Sequence, residues 1–163
     1  MMAEVINVSA GSQAILALSN VAGLSSVAAD SNALIVPQLT DITVNNSTGV
    51  YRFKTLDNTA ESAVTTPATN QITTNLIVDE TTFFGDGANL INSVVADGLF
   101  GASKNKTEIY FSIGFEGADS GDSILTGKGF ISGLAPTVNM DAPVWTTPVT
   151  IEVSGDFTKA TQA

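Results

Sequence analysis

The chain is 163 residues long and carries 6 Lys and Arg against 16 Asp and Glu, with no His and no Cys, for a net charge of −10. That length fits one domain with a real core, and the missing side chains exclude disulfides, thiolate metal sites, a cysteine nucleophile and any imidazole base or ligand. Six cations in so acidic a chain also argue against a surface that grips nucleic acid, and an enzyme is the minority expectation because only carboxylate pairs or Ser–Lys dyads remain.

Hydrophobic residues make up 44% of the chain, yet only 13% of residues are charged, about half the usual ~25%. Thr, Ser and Asn supply the polar surface instead, 47 of the 163 residues, and Thr suits the pleated surface of a β-sheet. A surface this poor in charge is explained if much of it is covered in an assembly. No run of 18 apolar residues occurs, so no membrane span is expected. No Lys or Arg precedes Arg52, so a secretory signal is not expected either.

The Ala-rich tract from Ala14 to Ala29 fits a short helix or an irregular strand, and periodicity does not choose between them. A strand is expected from about Leu34 through Ile42 and Val44, ending in a turn-rich joint at Asn45–Gly49. Another lies around Tyr51 and Phe53, with Arg52 and Lys54 facing the other way. Asp57–Asn70 (DNTAESAVTTPATN) is polar, rich in small residues and longer than a hairpin turn needs. It reads either as a surface loop or as an arm or hairpin ordered against a neighbouring subunit. Ile72–Val78 gives the next strand. Asp79 and Glu80, adjacent beyond it, point to opposite sides and make a poor acid–base pair.

Residues 87–101 break the strand rhythm. Leu90, Ile91, Val94, Val95 and Leu99 recur at helical spacing, with Asp86 as N-cap and Gly98 or Gly101 as the stop. The preceding Gly85–Gly87 is not a phosphate loop: it has no G-x-G-x-x-G pattern, no following Lys, and an Asp that repels phosphate. Lys104 and Lys106 fall in the next turn, where they are solvated or pair with acids of a neighbouring copy. In Thr107–Phe115, Ile109, Phe111, Ile113 and Phe115 alternate with polar residues, the pattern of a half-buried strand. Glu116, Asp119 and Asp122 form an acidic hairpin tip that lacks the ligand alternation of a calcium loop. Leu125–Ile131 is a strand in which Gly127 and Gly129 mark a bulge or a close approach. Leu134, Val138 and Met140 suggest a bent or edge strand containing Pro136. After a joint at Asp141–Thr147, with Trp145 as a core or rim anchor, Val149, Ile151 and Val153 form the last strand. No repeat or boundary divides the chain. It is expected to be one domain over 1–163, with an N-terminal arm over about 1–33 and a long loop over about 57–70.

The stretch Gly127–Ala160 (GKGFISGLAPTVNMDAPVWTTPVTIEVSGDFTKA) resembles the C-terminal half of the tail tube proteins of long-tailed bacteriophages. A Gly-aromatic strand (Gly129-Phe130-Ile131), a preparatory turn with Asp and Pro (Asp141-Ala142-Pro143) and a final strand (Val149–Val153) ending in Ser154-Gly155 follow in the family's order. The helix and the 107–115 strand also lie where that family places them, so the likeness runs from about Thr73 to Lys159. The N-terminal third departs from it, with an Ala/Ser/Val tract in place of a recognisable first strand.

The resemblance implies a mainly β, antiparallel sandwich or barrel-like fold with one flanking helix. It also implies a non-enzymatic virion subunit without cofactor or metal, assembled in the bacterial host cytoplasm. Its partners would be its own copies in stacked hexameric rings, neighbouring tail proteins and DNA passing through without specific binding. The sequence leaves a sheath open. Asp41, Asp79, Glu80, Glu108 and Glu152, at strand ends and turns, are the candidates for facing the lumen. Glu61, Thr65 and Thr66 in the long loop, with Lys104 and Lys106, are the candidates for contacts between rings or subunits. The alternatives are a capsid decoration protein, the tube of a contractile secretion machine, and a secreted β-sandwich that binds glycan or cell surface. Against the last stand the single Trp and the lack of an export signal.

Overall fold

The structure, a computed structural model, describes residues 14–24, 27, 33–87, 94–117 and 119–162. The strands in chain order are β1 (Ile15–Ser19), β2 (Ala33–Ile35), β3 (Leu39–Phe53), β4 (Ser62–Ile77), β5 (Ile109–Gly114), β6 (Ser123–Leu134), β7 (Thr137–Asn139), β8 (Ala142–Val153) and β9 (Thr158–Thr161). Two helices, α1 (Glu80–Phe84) and α2 (Val94–Lys104), separate β4 from β5. All nine strands belong to one sheet in the order β2-β1-β5-β6-β8-β4-β3, with β7 added beside β8 and β9 beside β6. Every pairing is antiparallel. The fold is mainly β, as the sequence suggests, but the sheet is open, ending at β2 and β3, and the described residues hold two helices rather than one.

Period-two alternation decides which face is buried. Leu16 and Leu18 of β1, Ile72 and Leu76 of β4, Ile109, Phe111 and Ile113 of β5, Ile131 of β6 and Val149 and Ile151 of β8 form one core. Val94, Leu99 and Ala102 of α2 close it from above. Phe111 is fully buried, and Gly127 lies across from it in the β5–β6 register. A Cβ on Gly127 would stand 2.6 Å from the Phe111 ring, so this is the close approach, while the register shift of β6 comes later, between Ile131 and Gly133. A second, smaller cluster of Ala17, Val27 and Ile124 lies on the other face of β1 and β6. The Val27 amide is held there by the Gln162 side-chain oxygen at 2.9 Å.

Several expected boundaries move. The tract after Ala14 opens as a strand inside the sheet, because Leu16 and Leu18 have a core to enter. Of the arm expected over about 1–33, residues 1–13, 25–26 and 28–32 lie outside the described ones. The strand expected from Leu34 is broken: Pro37 cannot donate a ladder bond and Gln38 adopts φ 55°. Asn45–Gly49 is not a joint but the middle of β3, and 62–70 is not loop but the first half of β4. Phe115 lies beyond β5 and is exposed, Met140 is 97% exposed, and Trp145 is 52% exposed on β8. Leu134 and Val138 belong to different strands, parted at Ala135–Pro136.

The helical region is the largest difference. Asp79, not Asp86, caps a described helix: its carboxylate accepts the Thr82 amide at 3.2 Å at the start of α1. Leu90 and Ile91 lie outside the described residues. From Val94 the helix passes Gly101 and reaches Lys104, leaving through Lys106 at φ 55°. Gly98 interrupts α2 rather than ending it, with φ 66° and ψ −171°. There it presses on the exit of α1: a Cβ on Gly98 would strike the backbone of Phe83 and Gly85, and one on Gly85 would strike the backbone of Ala96.

Candidate functional site

Three surfaces stand out, and the first is the open face of the sheet. Where Ile72, Thr74 and Leu76 of β4 point into the core, Gln71, Thr73 and Asn75 point out. The register sets Asp41, Thr43 and Asn45 of β3 on one side of this row, and Glu152, Thr150 and Pro148 of β8 on the other. Amides tether the two exposed acids. Asp41 accepts the Asn75 backbone amide at 3.2 Å and its side-chain amide at 2.8 Å, and Glu152 accepts Gln71 Nε2 at 2.6 Å. Phe130 lies opposite Glu152 on β6, with Ser132 next to it on the same face. Further along, Lys128 meets Glu108 at 3.5 Å, and the Tyr110 hydroxyl donates to the same carboxylate at 3.2 Å. The face therefore presents amides, hydroxyls, carboxylates and the Phe130 ring, and its one cation on β6, Lys128, is paired with Glu108.

The second surface is a two-stranded ribbon. Beyond Asn46 and Asn70, β3 and β4 pair only with each other, from Ser47↔Thr69 to Phe53↔Ser62. At its base Asn70 is buried and donates to the Gly155 carbonyl at 2.9 Å, fixing the ribbon to the turn between β8 and β9. Tyr51 and Phe53 stack at 6.2 Å with Val64 opposite Tyr51, and Val50 and Leu56 are exposed as well. Arg52 and Glu61 pair at 3.8 Å, both well solvated, which contributes little. At the tip, hydrogen bonds from the Thr55 side chain and from its own backbone amide hold the Asp57 carboxyl below its ordinary range.

The third is an aromatic groove between the helices and the end of β6. Phe83 is buried there, and it props Phe84 and Phe100, which are 59% and 45% exposed; the ring centroids are 4.9 to 6.0 Å apart. Leu134 and Pro136 form the opposite wall and Lys104 the rim.

Of the acids read as lumen candidates, the structure brings Asp41, Glu108 and Glu152 to the open face. Asp79 and Glu80 start α1 instead, beside the helix that closes the core. Glu61, Thr65 and Thr66 lie on the ribbon, while Lys104 ends α2 and Lys106 follows it, so these two sets are far apart in the fold. The amide partners Gln71 and Asn75 escape the sequence reading, although the alternation from Gln71 to Leu76 carries their signal. So does the aromatic groove, announced only by the pair Phe83-Phe84 in polar surroundings. Among the described residues no group of acids could hold a metal ion, and no helix is long and apolar enough to cross a membrane.

Neither a protein-family model nor any curated protein matches the sequence. Solved structures do match in fold. A chain from the tail of an empty gene transfer agent particle, refined with C6 helical symmetry, superposes with a TM-score of 0.57 at 10% identity, covering 93% of this chain and 98% of that one. The chain has the fold of a tail protein. A chain from the virion of the native gene transfer agent particle agrees, with a TM-score of 0.56 at 11% identity over 96% of this chain and 100% of that one. Both matches run nearly end to end in both directions.

Proposed function

We propose that the chain is the structural, non-enzymatic subunit of a phage-like tail tube. Six copies form a ring, rings stack into a tube, and DNA passes through the lumen. The observation that carries this reading is the end-to-end fold match to a chain of a C6-symmetric tail. Tail proteins at the two ends of the tube are its other partners, and the virion is its location.

The open sheet face supports the reading on separate grounds. Each Lys or Arg that contacts a phosphate releases counterions and adds to the grip on DNA. A wall of Thr, Asn and Gln with Asp41 and Glu152 offers no such contact, and Lys128 is engaged by Glu108. In this proposal that face lines the lumen, and the exposed edge of β3 pairs with a neighbouring copy. An uncovered edge of 15 residues would otherwise invite uncontrolled association.

Electron microscopy of the purified protein tests the proposal. Hollow rings with six-fold symmetry, or tubes built from them, are expected. A protein that stays monomeric at high concentration, or rings with a strongly positive lumen in reconstruction, would count against it.

A further inference from the structure

The aromatic groove is incomplete within one copy. Phe83 props Phe84 and Phe100 so that both rings meet solvent, and exposed aromatic clusters of this kind mark contact sites. The groove has a volume of about 570 Å³, and Lys104 is the only charged residue in its lining. Lys106 follows in the same turn, and neither lysine is ion-paired among the described residues. A fitting occupant is therefore apolar and acidic. The turn between β5 and β6 is both: Phe115 is exposed, and Glu116, Asp119 and Asp122 follow it with no Lys or Arg before Lys128. The ribbon is not, because its stacked Tyr51 and Phe53 alternate with Arg52 and Lys54, which would bring like charge to Lys104. The β7–β8 hairpin, with Met140 and Asp141, offers one acid against three. The acidic tip is also held ready. The Gly121 amide donates to the Gln162 carbonyl at 3.0 Å and the Gln162 amide to the Asp122 carbonyl at 2.8 Å, so little ordering is left for binding to impose. Tip and groove do not meet in one copy. The tip precedes β6 and Leu134 of the groove ends it; at ~3.3 Å per residue the 12 residues of β6 put roughly 40 Å between them.

We infer that the Phe84–Phe100 groove receives Phe115 of a second copy, with Lys104 and Lys106 meeting the acids of that copy's tip. The inference rests on the tail reading above and adds a contact between copies in which the ribbon takes no part. Groove and tip lie at opposite ends of β6, so the contact is heterologous, and each copy gives one surface and takes the other. Phe115 is the apolar anchor among the aromatic walls. The charges select the partner surface and fix its orientation.

The chain has no cysteine, so thiol cross-linking reports the contact cleanly. Ser103 lies in the groove lining and Ser120 at the exposed tip. A Ser103→Cys variant and a Ser120→Cys variant are mixed in equal amounts before assembly and treated with a short bis-maleimide, with each preparation imaged in parallel. A cross-linked dimer is expected in the mixture and in neither variant alone. Adding Phe115→Ala to the Ser120→Cys partner should cut the yield about tenfold, while Phe115→Leu should keep it. Adding Lys104→Glu to the Ser103→Cys partner should cut it likewise, and Asp119→Lys in the other partner should restore it. Rings or tubes that give no cross-link, or a yield indifferent to the charge swap, would overturn the docking while leaving the tail reading intact. Failure of every preparation, parent protein included, to form rings would overturn both.

Discussion

Gly98 offers a measurement of how tightly the two helices are locked over the core. Its backbone occupies φ 66°, ψ −171°, a region that is essentially glycine-only and costs another residue about 1–3 kcal/mol. The space is closed as well: a Cβ there would strike the backbone of Phe83 and Gly85, and backbone cannot rotate away as a side chain can. Overpacking of this kind costs about 1–3 kcal/mol more, so Gly98→Ala should lose roughly 2–6 kcal/mol in all. Gly23 supplies the control, since it has φ 86° but nothing within 4 Å of the place a Cβ would occupy; Gly23→Ala should cost only about 1–2 kcal/mol. Urea titration followed by far-UV circular dichroism, at concentrations too low for assembly, separates the two. In melting temperature the difference corresponds to about 2–4 °C per kcal/mol for a chain of this size. If Gly98→Ala is no more costly than Gly23→Ala, the helix crossing is looser than described and the steric reasoning fails.

Phe111→Ala should cost about 3–5 kcal/mol, since the ring is fully buried and meets Phe157 edge-on at 5.9 Å; a drop in urea midpoint worth less than half of that would place the core elsewhere. Asn70→Asp should destabilise more than Asn70→Ala, because the new carboxylate would face the Gly155 carbonyl and the Asp156 carboxylate, where the amide now donates. Equal midpoints for the two would deny Asn70 its role at the ribbon base. Asp41→Lys combined with Glu152→Lys should leave the circular dichroism spectrum unchanged but make assembled tubes retain DNA at low salt and release it as salt rises. Tubes that pass DNA as the parent does would remove these two acids from the lumen.

The contrast between what is legible in the sequence and what is not has a physical cause. β5 and β8 are readable because the core-facing Ile109, Phe111 and Ile113, like Val149, Ile151 and Val153, alternate with polar residues inside one copy. Which acids share a face is not readable, since Asp41 and Glu152 come to one face only through the strand order β8-β4-β3, which local pattern does not encode. Gly98 reads as a helix stop until Gly85, distant in the pattern, is known to lie against it. The ribbon reads as loop for a different reason. Its half of β4 buries neither face, so it lacks alternation and takes the small polar residues of a loop. Even Pro67 fits, because it lies where the register shifts between Thr48 and Val50 and no ladder bond is required of it. Hydrophobic periodicity records burial against the same chain. A segment with no such burial leaves little of that record, only scattered apolar residues such as Tyr51, Phe53 and Leu56 on the ribbon and Phe84 beside the buried Phe83. Apolar residues exposed in polar surroundings are what the ribbon and the groove leave in the sequence, and strand register and helix packing are what gather them into surfaces.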